Sequence, residues 1–296
     1  MPAPAWRWLN KLITRRTLLF GAAAAASPVV AAASLYGYSR HVAPFQVQVR
    51  RERMTIRGLA AARPVRIAHL SDLHWSPDVP DEILIRAFDL TLAEKPDLVC
   101  ITGDFVTEGQ IYRTGYPRLL RRLTDHVPTL ASMGNHDGGG SVNRAGSGAV
   151  RRVLAEGGLR VLHNASHTVE VAGGEIEFVG LGDIWAHECQ PLLAFQHTKT
   201  EPGPRLVLSH NPDSKKAAAP YRWDLLLSGH THGGQVVPPL LGPIFAPVAD
   251  GRYIHGLKCW EDRWINVTSG VGSILGVRFN CPPEVVVLEL SRAEGY

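Results

Sequence analysis

The segment Leu98 to Asp104, LVCITGD, limits the possible folds more than any other stretch of the chain. Four consecutive apolar residues lead into a glycine turn and stop on a carboxylate, the pattern of a strand covered on both faces. In open sheets built from such strands, ligands gather just beyond the carboxyl ends. Three other runs end the same way. Ile67-Ala68-His69-Leu70 leads into Ser71-Asp72-Leu73-His74, and Leu130-Ala131-Ser132-Met133 into Gly134-Asn135-His136-Asp137. Leu225-Leu226-Leu227 leads into Ser228-Gly229-His230-Thr231-His232. Each run delivers oxygen or imidazole donors to what would be one sheet edge, so the pattern predicts a metal centre there.

The elements between these runs set the topology. Pro80 precedes a helix over Asp81 to Lys95, with Ile83, Leu84, Ala87 and Phe88 at helical spacing. Tyr116 to Leu123 reads as a second helix, Pro128 to Met133 as a strand, and Val142 to Glu156 as a third helix closed by Gly157-Gly158. A domain beginning in earnest at Val65 with this β-α-β-α-β order implies parallel pairing. From Leu159 the chain turns strand-rich: Leu159 to Leu162, Thr168 to Val171 and Ile176 to Leu181, the last two a hairpin across Gly173-Gly174. Arg205 to Ser209, Leu225 to Ser228, Tyr253 to Leu257, Trp264 to Thr268 and Glu284 to Leu290 follow, with one brief helix at Ser214 to Ala219. The expected fold is α/β with mixed α+β character: a four-layer αββα sandwich of two mixed β-sheets flanked by helices. It forms a single domain over residues 41–296. The Pro/Gly-rich loop from Pro238 to Asp250 is long enough to line a site.

Charge is distributed unevenly. Residues 1–66 hold eleven Lys and Arg against the single acid Glu52, whereas residues 67–296 are net −6. A non-specific nucleic-acid binder needs a basic working face, so no nucleic-acid partner is expected. The basic front end begins with Lys11, Arg15 and Arg16, followed by Leu18-Leu19-Phe20 and an alanine-rich stretch. Thr14 to Phe20 resembles a twin-arginine export signal, and Ala31-Ala32-Ala33 offers small residues for cleavage. Residues 1–40 are therefore expected to engage the Tat export machinery. They would leave the protein periplasmic or at the outer face of the cytoplasmic membrane, with Thr17 to Tyr38 an alternative uncleaved anchor. Phe45, Val47 and Val49 alternate with polar residues as in an edge strand, and the arginines from Arg51 to Arg66 would either form a solvated strand face or, with the N-terminus near a membrane, meet anionic headgroups.

A cluster of carboxylate, amide and imidazole donors can hold two divalent ions, which together can acidify a shared water and absorb charge on the oxygens of an anion. Mixed oxygen and imidazole donors suit Mn, Fe or Zn better than Mg or Ca, and a carboxylate such as Asp104 can bridge two cations. Asp72-x-His74, Gly103-Asp104, Gly134-Asn135-His136-Asp137, Ser209-His210 and Gly229-His230-Thr231-His232, in that order, resemble the five blocks of the calcineurin-like metallophosphoesterases across Val65 to Ser291. The resemblance implies a dinuclear-metal phosphoesterase. One ion would take Asp72, His74, Asp104 and His232; the other would take Asp104, Asn135, His210 and His230. His136 would be the general acid working with a metal-activated hydroxide, while Asp137 holds its turn.

The family's protein phosphatases place an Asp three positions after the bridging one, where this chain has Thr107. That departure argues against a phosphoprotein substrate. Gly233-Gly234-Gln235 and the tail Gly270 to Glu284 resemble the exported bacterial phosphodiesterase branch of the family, and within that tail Arg278 is the cation expected to meet substrate phosphate. A phosphodiesterase on a lipid- or nucleotide-linked phosphate is the leading expectation. A phosphomonoesterase, a UDP-diacylglucosamine-type pyrophosphatase and a degenerate phosphate-polymer-binding protein are the competitors. His69, His163 and His167 read as structural, and His255 and Asp183 as peripheral at most. Cys100 reads as core, with no pairing assignable among Cys189, Cys259 and Cys281.

Overall fold

In the computed structural model the described residues are 15–108, 111, 114–138, 147–200 and 203–293, with side chains from residue 28 onward. Two six-stranded sheets form the body. The first runs in the order β1 (Gln48–Ile56), β12 (Glu284–Arg292), β2 (Val65–Leu70), β3 (Leu98–Thr102), β4 (Thr129–Ser132), β5 (Arg160–Val161). The second runs β10 (Gly256–Trp260), β11 (Arg263–Val267), β9 (Leu225–Ser228), β8 (Arg205–Leu208), β7 (Gly174–Gly180), β6 (Ala165–Val171). Within each sheet four consecutive strands are parallel, β2 to β5 in the first and β11, β9, β8 and β7 in the second. The β6–β7 hairpin is antiparallel, with Val171 opposite Gly174.

Alternation along the strands builds the layers. In β3, Val99 and Ile101 face a helical layer of α2 (Asp81–Ala93), α3 (Tyr116–Thr124) and α4 (Gly148–Glu156), while Leu98 and Cys100 face the opposing sheet. In β8 and β9, Leu206, Leu208, Leu225 and Leu227 point into the space between the sheets. Val207 and Leu226 pack outward with Trp223, Tyr253 and Ala218. Each such fully buried aliphatic side chain contributes about 1.5–3 kcal/mol. Among the described residues the outer layer over the second sheet is thin, with the short helices α5 (Pro191–Phe195) and α6 (Lys215–Ala218).

Two sequence expectations need correction. The edge strand expected from Phe45 starts later and runs further: Ala43–Phe45 is a 3-10 turn, and β1 spans Gln48–Ile56, pairing in parallel with β12 over nine residues with its Met54 and Ile56 buried in the core between the sheets. Tyr253 lies in a 3-10 turn rather than a strand, its buried ring anchored by a hydrogen bond from its hydroxyl to the Cys259 carbonyl, and β10 starts at Gly256. The first turns expected of the third helix, residues 142–146, lie outside the described residues, as do Lys11 and Thr14 of the export signal. Arg15–His41 is helical (α1) with Pro28 inside it, and among the described residues no helix is long and apolar enough to cross a membrane.

The β1–β12 pairing is locked by charge. Glu284 accepts from Arg50 Nε (3.2 Å) and Nη2 (3.3 Å), from the Ser269 N–H (3.0 Å), and faces His255 Nε2 at 3.0 Å. Burial alone would push this carboxyl up, but His255 and Arg50 outweigh it and hold the group well below the ordinary 4.5. Glu284→Gln is expected to cost about 2–3 kcal/mol, short of the 3–5 of a fully enclosed pair because Arg50 keeps Glu52 as a partner. A depressed carboxylate stabilises fully above its unfolded value and loses that contribution as pH falls toward the folded one. The gap in urea midpoint between wild type and variant should therefore be widest near neutrality and narrow below about pH 4. A gap that widens with acid would contradict this assignment.

Candidate metal centre

The carboxyl ends of β2, β3, β4, β8 and β9 meet at one edge of the sandwich, and the backbone there is unusual. Asp72, His74, Asp104, His230 and His232 all have positive φ, between 45° and 69°. Non-glycine residues rarely adopt this region, and they persist in it where the surroundings fix them. The glycine of each block explains how the surroundings close in. A Cβ on Gly134 would collide with the Asp104 carboxylate, and one on Gly229 with the Asp72 carboxylate and the Ser71 hydroxyl. The glycines admit the carboxylates against the backbone.

All seven expected donors lie at this edge. Asp104 Oδ2 is 3.1 Å from His210 Nε2 and 3.5 Å from His74 Nε2. Asp72 Oδ1 is 3.3 Å from His232 Nε2 and 3.9 Å from both His74 Nε2 and His210 Nε2. His74 Nε2 and His232 Nε2 are 3.1 Å apart, and His230 Nδ1 and His210 Nε2 3.2 Å apart. Two compact groups result, Asp72-His74-His232 and Asp72-Asp104-His210, all buried. Asp72 is common to both groups, while Asp104 belongs to the second and reaches the first through its 3.5 Å contact with His74, where the sequence reading gave the shared position to Asp104 alone.

The chemistry of the cluster fits cations. Burial pushes the His74 and His230 imidazoles down to about 3, so both are neutral with lone pairs available. Burial and neighbouring Asp104 raise the Asp72 carboxyl to about 6, the signature of two anions crowded together. Asn135 Oδ1 is buried with no hydrogen-bond partner and, like His230, lines the cavity at this edge. Neutral nitrogens aimed at one another, paired carboxylates and an orphaned amide oxygen together make a donor set for positive ions.

Partners behind these side chains fix their orientation. The Thr102 carbonyl lies 2.7 Å from His210 Nδ1, so that nitrogen carries the proton and Nε2 faces the centre. Thr107, which stands where the protein phosphatases have Asp, bonds through its hydroxyl to His74 Nδ1 at 3.2 Å. A polar chain continues inward: Thr102 Oγ1 to His69 Nε2 (2.8 Å), His69 Nδ1 to Asn266 Nδ2 (2.8 Å), Asn266 Oδ1 to Arg50 (3.0 Å). His69 is therefore structural, as expected, and burial pushes it down to about 3. Asp137 accepts from the N–H groups of Phe105, Val106 and Gly134, bracing the turn that presents His136. His255 instead pairs with Glu284.

His136 lies at the cavity wall. Its backbone N–H donates to Asp104 Oδ1 at 2.9 Å, and its ring meets the His74 ring edge-on with centroids 5.0 Å apart. The Glu108 N–H donates to its Nδ1 at 3.4 Å, which leaves the Nε2 of the neutral ring as the proton carrier.

Arg278 departs from expectation. It is fully buried, and its guanidinium donates to the carbonyls of Ser269, Gly270, Gly272 and Cys281. Those carbonyls belong to the turns that pack behind Asp72, so Arg278 braces the cavity wall and has no face left for a phosphate. Sequence reasoning also missed Trp185, whose half-exposed ring meets His230 edge-on at 4.4 Å. Asp183, buried, holds that ring in place by accepting from the N–H groups of Trp185 and Ala186. Nothing in the local spacing marks Trp185. The cavity measures about 480 Å³, and no Lys or Arg lines it among the described residues. The four cysteines are free.

The sequence profile of the calcineurin-like phosphoesterases matches residues 65–234. Phosphodiesterase YaeI of Escherichia coli K12 is 39% identical over 280 residues, 94% of this chain and all of that one. The uncharacterized metallophosphoesterase YkuE of Bacillus subtilis 168 is 32% identical over 297 residues, covering 95% of this chain and 98% of its own. UDP-2,3-diacylglucosamine pyrophosphatase LpxG of Chlamydia trachomatis is 26% identical over 328 residues, covering 90% and 97%.

Proposed function

The chain belongs to the calcineurin-like phosphoesterase family and is a hydrolase of phosphate esters; from that premise we propose that it is a phosphodiesterase working with two divalent ions. The observation that supports this most directly is Asp104 Oδ2, lying between His210 and His74 where the two donor groups meet. One ion would be held by Asp72, His74, Asp104 and His232, the other by Asp104, Asn135, His210 and His230. The nitrogen-rich donor set favours Mn, Fe or Zn. When bound, such a pair supplies Lewis acidity toward phosphate oxygens and acidifies water.

The remaining steps fall to the protein. Thr102 and Thr107 keep the two imidazoles aimed inward, and Asp137 and the Asp104 carboxylate hold the turn on which His136 sits. Protonated to the imidazolium, His136 would give its Nε2 proton to the departing ester oxygen and be left as the neutral ring. Trp185, Ile244 and Phe245 give the cavity an apolar wall. A diester carries one negative charge and a monoester close to two. Among the described residues no Lys or Arg lines the cavity, and Arg278 is committed to backbone carbonyls, which favours the diester. Similarity to the pyrophosphatase LpxG keeps a lipid-linked pyrophosphate as the second reading. Export by the Tat machinery to the outer face of the cytoplasmic membrane fits the Thr14 to Phe20 segment and is part of the same proposal.

Purified protein should hold about two equivalents of transition metal, as a two-metal site requires. It should also hydrolyse bis(4-nitrophenyl) phosphate faster than 4-nitrophenyl phosphate, with activity lost to a chelator. A faster monoester rate would remove the diesterase assignment, and undiminished activity without metal would remove the mechanism.

A further inference from the structure

Between His232 and Asp250 the chain carries no charge, and from Val236 to Ala249 it has no polar side chain at all. That loop stands out from the protein beside the metal centre. Leu240 is fully exposed, and Leu241, Ile244 and Phe245 are 81%, 68% and 72% exposed. Single exposed leucines are ordinary, but a contiguous apolar patch marks a surface that meets something. The tip is held rather than loose. Prolines 238, 239, 243 and 247 restrict it, the Pro238 carbonyl accepts from the N–H groups of Leu241 and Gly242, and the base is pinned where the Val237 N–H donates to Phe279.

Ile244 and Phe245 belong to both surfaces, lining the cavity while they form the outer patch. The neighbouring turn extends it: Ile274 lines the cavity and Leu275 is 73% exposed. Just beyond that turn lies the end of α1, where the Ser39 carbonyl accepts from the Arg278 N–H and Arg40 pairs with Asp78. Outward from there α1 displays Val29, Val30, Leu35 and Tyr36 to solvent, with no charged residue from Thr17 to Ser39.

We propose that the Pro238–Pro247 loop and Leu275 form a bilayer-docking surface, and that the substrate is an amphiphile whose phosphate ester reaches the metal centre from the lipid phase. The substrate half rests on the phosphodiesterase reading above; the docking half does not. A lipid surface fits this tip better than a protein partner does. A protein interface surrounds its apolar centre with polar groups that hydrogen-bond across it, and this loop offers none over fourteen residues. A convex, rigid, aliphatic tip continuous with the cavity mouth suits insertion among acyl chains. It would place the ester at the headgroup level, next to Asn135 and His136.

The test is flotation of the full-length protein with vesicles of phosphatidylcholine alone, where the basic N-terminal segment gains nothing from charge, in a chelating buffer that makes binding independent of metal. Wild type should bind, and Leu240→Asp combined with Leu241→Asp should lower the partition at least tenfold. That variant should keep its rate on bis(4-nitrophenyl) phosphate in metal-replete buffer and lose at least tenfold on a phosphodiester lipid presented in vesicles. Equal flotation of variant and wild type would overturn the docking surface. So would a wild type that ignores vesicles but self-associates through the same leucines. Vesicle binding without hydrolysis of any diester would leave the docking surface standing and remove the phosphodiesterase reading.

Discussion

Replacing Asp104 with asparagine is expected to release metal from both positions and to abolish turnover. The effect should be this large because Asp104 is a carboxylate set between His210 and His74, 3.1 and 3.5 Å from their Nε2 atoms. Asparagine keeps the shape but removes the negative charge between two cations. It also presents an N–H₂ that can turn toward the imidazole lone pairs, leaving those nitrogens with a donor where they need an ion. The loss of rate should exceed the ~10²–10³-fold that follows from deleting one electrostatic contact in a preorganised site. The fold should survive, since the cores on both faces of the first sheet are built from apolar side chains of strands, helices and loops and do not include Asp104. Elemental analysis alongside diesterase rates checks this, with circular dichroism to exclude unfolding. A variant that retains two equivalents of metal and near-native turnover would show that the donor scheme is misassigned.

The strand-end blocks were legible in the sequence because an apolar run followed by glycine and a donor states both a strand and its stop. The alternation in β3 even separates the two cores, with Val99 and Ile101 on one side and Leu98 and Cys100 on the other. What failed were properties set by distant chain. β1 shows as an edge strand in the alternation near Phe45, but its extent to Ile56 and its partner β12, more than two hundred residues away, are not written locally. Arg278 has the composition of a phosphate ligand. Its role was decided by four carbonyls that turn toward it only once the 269–281 segment has folded. Trp185 reaches His230 through a turn held by Asp183, which no local spacing announces. The positive φ angles at five motif residues were equally hidden, since Asp and His do not demand that conformation. Glycines beside them gave an indirect sign, as positions where a carboxylate had to come close.

His136→Ala tests a different function from Asp104→Asn and should separate cleanly from it. The His136 ring is outside both compact donor groups, and the contact that ties this residue to Asp104 is made by its backbone N–H, which alanine retains. Metal content should therefore stay at the wild-type level. Turnover should fall by about 10²–10⁴-fold, the range for a lost general acid. The size of the loss must also depend on the leaving group. A nitrophenolate departs readily without a proton, whereas an alkoxide or a poorly activated phenolate needs one. Across a series of aryl phosphodiesters the ratio of wild-type to variant rate should climb as the leaving phenol becomes less acidic. A ratio that stays flat would assign His136 to holding the phosphate rather than to protonating the departing oxygen. Loss of metal in parallel with rate would instead make it a ligand. The Glu108 N–H at Nδ1 places the proton of the neutral ring on Nε2, where it can hydrogen-bond the departing oxygen; outright transfer takes the imidazolium, which gives up its Nε2 proton and is left neutral.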